Sequence, residues 1–67
     1  MDSYIKFERS AHGATAKIAE GAMEKHCGKL RDLLEKSGAK LIERKTYTVA
    51  IEDGAYKATV WEKWSTD

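Results

Sequence analysis

Hydrophobic and polar positions alternate along residues 3–9, where Ile5 and Phe7 stand between Tyr4, Lys6 and Glu8. A period of two marks a strand with one buried face, so the first element is a strand. The stretch Ser10-Ala11-His12-Gly13 then breaks the pattern and predicts a loop, with Ser10 as a candidate helix cap and Gly13 as a turn residue.

From about residue 14 to 37 the period changes. Ala16, Ala19, Met23, Cys27, Leu30 and Leu34 recur at steps of three and four, flanked by Ala22, His26 and Leu33. This predicts one amphipathic helix with a polar side of Lys17, Glu20, Glu24, Arg31, Asp32 and Glu35. Gly21 and Gly28 lie outside the apolar stripe and predict either a break or a close approach by another group. Ser37-Gly38 ends the helix, with Gly38 where a left-handed cap belongs.

Alternating runs over about 40–52 and 55–64 flank Asp53-Gly54, a strong signal for a two-residue type I′ hairpin turn. That register sets Ile51 opposite Tyr56, Val49 opposite Ala58 and Tyr47 opposite Val60. These six residues then form the face turned toward the helix. Arg44, Thr46, Thr48, Ala50, Lys57, Thr59, Trp61 and Lys63 form the other face, on which Trp61 is the one large apolar group.

A strand, a helix and a hairpin predict an α+β fold, β-α-β-β, with one amphipathic helix on a three-stranded antiparallel sheet of order 1-3-2. The first and second strands become open edges, one of them charged by Glu43, Arg44 and Lys45. With 67 residues and no proline, the chain is a single domain, 1–67, in which a partner or second copy would add needed stability. Twelve Lys and Arg against eleven Asp and Glu leave a net charge of +1, which argues against a protein held on duplex nucleic acid by charge. No signal segment or apolar span of membrane length occurs, so a cytoplasmic protein without membrane contact is expected.

Candidate chemistry is sparse. His12, His26 and the single Cys27 lack metal-ligand spacing, so no metal and no cofactor are expected. Cys27 sits mid-helix in an Ala, Met and Leu stripe, the setting of an inert buried thiol. Arg9, Ser10, His12 and Lys17 gather where a strand meets a helix start and form a weak anion-binding candidate, without the glycine spacing of a nucleotide loop. No pair of catalytic carboxylates stands out, and an enzyme is not expected. A helix-turn-helix is disfavoured because the middle of the chain reads as one continuous helix.

Two functions remain. The first is a small non-catalytic module, a regulator or inhibitor, that docks on a larger protein or on a second copy of itself. Its candidate contacts are Trp61, Arg44, Thr46, Lys57, Lys63, Tyr4 and Lys6 on the uncovered sheet face. The second is single-stranded RNA or DNA binding across that face, with bases stacking on Tyr4 and Trp61 and Lys6, Arg44, Lys57 and Lys63 meeting phosphates. A third, bland reading has Trp61 packing flat on its own sheet.

Overall fold

The computed structural model describes residues 3–66. The order is strand β1 (Tyr4–Gly13), helix α1 (Ala16–Lys36), strand β2 (Lys40–Ala50) and strand β3 (Tyr56–Ser65). The sheet is antiparallel in the order β1-β3-β2 with α1 on one face, which is the α+β arrangement expected. The single-domain reading extends to residues 1, 2 and 67, which lie outside the described residues.

β1 is longer than the alternation predicted. Ser10 to Gly13, expected to be a loop, continue the strand, and Ala11 pairs with Ala58 in the core. Small residues there fill the narrow space beneath the first turn of α1. A Cβ on Gly13 would lie 2.5 Å from the backbone nitrogen of Ala19, so the glycine is fixed by close approach of helix and strand. The cap also moves: Thr15, not Ser10, is the N-cap, and its hydroxyl accepts the Ile18 amide at 3.1 Å.

Along α1, Ala19, Met23, Cys27 and Leu34 are buried, and Leu30 and Ala22 are half-buried beside them. Leu33 and His26, placed on the flank of the stripe, are exposed. Gly21 and Gly28 neither break the helix nor admit a neighbour, since a Cβ on either would meet nothing within 4 Å. The C-terminus closes as a Schellman motif. Gly38 is left-handed at φ 88°, its amide donates to Glu35, and Ala39 donates to Leu34.

The hairpin departs from the expected register by one residue. Asp53 and Gly54 do take the positive φ values of 67° and 72° that the dipeptide favours. Glu52 joins the loop as well, however, and Ile51 closes it by donating to the Ala55 carbonyl at 2.9 Å. Ala50 therefore pairs with Tyr56, Thr48 with Ala58, Thr46 with Val60 and Arg44 with Glu62. Because side chains alternate, a one-residue slip turns the whole of β2 over. Tyr47, Val49 and Lys45 lie on the bare face, whereas Arg44, Thr46, Thr48 and Ala50 lie on the helix side.

β3 sits centrally and supplies Ala58, Val60, Glu62 and Trp64 to the buried layer, where Phe7 and Ala11 meet them from β1. β2 is exposed along almost its whole length, with Thr48 alone half-buried. The helix leans toward β1, and an open groove runs between α1 and β2. One part of it, about 410 Å³, is bounded by Arg31, Leu41, Arg44 and Trp64, and a second of about 220 Å³ by Glu20, Met23, Glu24, Arg44 and Thr48.

Candidate functional site

Two constellations stand out: a bare sheet face, which sequence patterning foresaw in part, and a buried carboxylate, which it missed.

The bare face is built in rows across the three strands. One row is Lys6, Lys63 and Glu43; the next is Glu8, Trp61 and Lys45; then come Ser10, Thr59 and Tyr47, and last His12, Lys57 and Val49. Trp61 occupies the middle and is half-buried between its neighbours. The Lys45 ammonium stands 5.4 Å from its ring centroid, and Lys63 stands 4.3 Å from that of Tyr4. Such contacts hold cations over ring faces. Tyr47 donates weakly to Glu8 at 3.4 Å, and Lys45 also pairs with Glu43 at 3.4 Å. Tyr47 and Val49 are both about half exposed. Together they extend an apolar patch from the indole to the β2 edge, of the kind that interfaces use.

Of the expected contacts, Trp61, Lys57, Lys63, Tyr4 and Lys6 share this face. Arg44 and Thr46 do not, because the register slip carries them to the helix side. The anion-binding group is also divided. Ser10 and His12 point to the bare face, Arg9 lies on the opposite side with its guanidinium 5.7 Å from the Phe7 ring, and Lys17 belongs to the first turn of α1. These residues do not converge on one ligand.

Glu62 is fully buried. Period two on β3 dictates this, because the alternation that buries Val60 and Trp64 also buries the residue between them. One carboxylate oxygen accepts the Trp64 indole N–H at 2.8 Å. The other takes Nε of Arg44 at 3.1 Å and a guanidinium nitrogen of Arg31. Glu24 on the rim pairs with Arg44 and lies 3.9 Å from Arg31. A buried carboxylate is tolerated only when its lone pairs are filled in this way. The Glu62 hydrogen bond holds the Arg31 guanidinium above its usual range, outweighing the opposite effect of burial. The sequence carried a signal for this cluster: a lone acid at the second step between Val60 and Trp64, with two arginines elsewhere to meet it.

Both oxygens of Glu62 are occupied, and the Arg31 nitrogen that meets one of them also donates to the Cys27 sulfur at 3.8 Å. Burial, ahead of the opposing Arg31 charge, pushes the Cys27 thiol above its usual range, and its sulfur donates to the Glu24 carbonyl at 3.5 Å. Among the described residues no group of three or more His, Cys, Asp or Glu side chains could hold a metal ion. Nor, among them, is any helix long and apolar enough to cross a membrane. Comparison with protein-family models, with curated proteins and with solved structures finds no match to this chain.

Proposed function

We propose that the protein is a small non-catalytic binding module, a regulator or inhibitor, that docks on protein through the uncovered face of its sheet. The observation that carries this reading is the central row of that face. The half-buried Trp61 is set between Glu8 and Lys45 there and is continued to the β2 edge by the exposed Tyr47 and Val49. Aromatic residues ringed by polar groups supply most of the energy at protein interfaces. The buried Glu62 cluster supports the reading from beneath, because it ties α1, β2 and β3 together and keeps the platform rigid.

One feature of the face favours a polyanion instead. Lys6 lies directly opposite Lys63, which sets two cations side by side on the face. A single experiment separates the two readings. The wild-type chain and a Trp61→Ala variant are immobilised and exposed to nuclease-treated and untreated native lysate, and bound proteins are compared by mass spectrometry. A protein held by the wild type after nuclease treatment and lost from a folded Trp61→Ala variant supports docking, with a loss of about 2 kcal/mol expected for a central anchor. Capture that disappears with nuclease transfers the face to nucleic acid. Equal capture by both chains removes Trp61 from the site.

A further inference from the structure

Charge in the four rows around Trp61 is lopsided. The ionised groups there are Lys6, Lys45, Lys57 and Lys63 against Glu8 and Glu43, and Lys45 pairs with Glu43. Among the described residues none of Lys6, Lys57 and Lys63 forms an ion pair. Glu43 stands opposite Lys63 but turns to Lys45, and Lys63 settles over the Tyr4 ring instead. Lys6 lies opposite Lys63 on the other side, and like charges so opposed destabilise a sheet. The fold gains nothing from that pair.

The three lysines mark the two ends of one strand. Lys57 and Lys63 are about 20 Å apart along β3, with Trp61 on the same face between them. An extended chain laid along β3 therefore meets a cation at each end and an indole between, with the exposed Tyr47 and Val49 beside it. A second copy fits this face poorly, because each copy brings three unpaired lysines and one acid to the contact. Glu8 decides between the other two partners. It lies directly opposite Trp61 and has no cation of its own among the described residues. Nucleic acid carries a phosphate beside every base, so a base stacked on Trp61 sets negative charge next to Glu8. A protein can place acids against the lysines and a neutral residue against Glu8.

We infer that the partner is an acidic segment of another protein, laid along β3 with carboxylates at Lys57 and at Lys6 and Lys63, and an apolar residue on Trp61. This rests on the docking reading above and deepens it by naming the chemistry of the partner. Complementary charge of this kind speeds association and fixes register, and salt weakens it.

Fluorescence anisotropy of the full chain with three labelled probes tests the assignment. The probes are a glutamate peptide with one phenylalanine near its centre, the same peptide with lysine for glutamate, and oligothymidylate. The glutamate peptide is expected to bind best and to lose at least about fivefold in affinity between about 0.01 and about 0.15 M salt. Lys6→Glu moves stability and binding in opposite directions. It turns the opposed cations into an ion pair, so the melting temperature is expected to hold or rise while affinity for the glutamate peptide falls about tenfold. Lys57→Glu has no ion pair to lose, and is expected to weaken the peptide similarly with the melting temperature unchanged. Three results overturn the inference: glutamate-peptide binding that both reversals leave unchanged, a preference for the lysine peptide or oligothymidylate, and no binding of the glutamate peptide at low salt. A protein captured through Trp61 after nuclease treatment still upholds the docking reading, so the two failures are distinct. Binding that depends on the lysines but survives Trp61→Ala supports the acidic partner and removes Trp61 from the site.

Discussion

Replacing Glu62 by glutamine changes one oxygen to an amide and leaves the volume of the side chain intact, so the perturbation is almost purely electrostatic. The carboxylate meets Trp64 through one oxygen and Arg31 and Arg44 through the other. Glutamine can still accept the indole N–H, but its NH2 group then faces two guanidinium donors. Breaking a buried ion pair by removing one partner costs about 3–5 kcal/mol. The arginine side chains retain 26% and 32% exposure and can recover water, which lowers the expected cost to about 2–3 kcal/mol. For 67 residues the whole stability is of the order of 3–10 kcal/mol, so this loss is a large fraction of it.

Urea denaturation followed by tryptophan fluorescence measures the effect. With a slope near 1 kcal/mol per molar urea, the midpoint of Glu62→Gln is expected to fall by about 2–3 M. A double-mutant cycle with Arg44→Gln is expected to give a coupling energy above about 1 kcal/mol, because the two groups share a hydrogen bond in the folded protein. Replacing Glu62, Arg31 and Arg44 together by apolar residues of similar size is expected to restore much of the stability. A Glu62→Gln midpoint within about 0.5 M of wild type would refute the argument, since it would mean that the cluster is hydrated and carries little energy.

The same carboxylate explains why the sheet was only partly legible in the sequence. Period two in β1 and β3, the helical stripe and the Ser37-Gly38 stop were each local signals, and α1, the strand order and the outward Trp61 all follow from them. The hairpin register was different, because a local signal competed there with a distant one. Asp53-Gly54 favours a two-residue turn, which would set Tyr47 opposite Val60 and turn Arg44 away from the helix. That register sets Lys45 rather than Arg44 opposite Glu62, beside the Arg31 that α1 supplies. The slip by one residue exchanges Lys45 for Arg44, whose planar fork suits a carboxylate better, and keeps positive φ at both Asp53 and Gly54. The resulting surface inherits the error: Arg44 and Thr46 leave the candidate face, and Tyr47, Val49 and Lys45 take their place. Exposure of β2 toward the helix was equally invisible, since it depends on how far α1 leans toward β1.

Two further perturbations follow from the packing. Burial and a raised pKa make the Cys27 thiol slow to react, so alkylation at mild alkaline pH is expected to require unfolding and to accelerate in urea along the denaturation curve. Labelling of the native chain at the rate of a free thiol would show that α1 does not cover it. The glycines provide a paired test with opposite signs. At Gly13 an added methyl meets the Ala19 backbone at 2.5 Å and the Ile18 side chain at 2.8 Å, so Gly13→Ala is expected to cost about 1–3 kcal/mol as helix and strand are forced apart. At Gly21 and Gly28 the same methyl enters open space inside a regular helix, and each alanine is expected to add about 0.5–1 kcal/mol by lowering the entropy of the unfolded chain. Thermal melts of the three variants measure both effects at once. Should alanine at Gly21 or Gly28 lower the melting temperature instead, the outer side of α1 must be in contact with another surface that tolerates no side chain there.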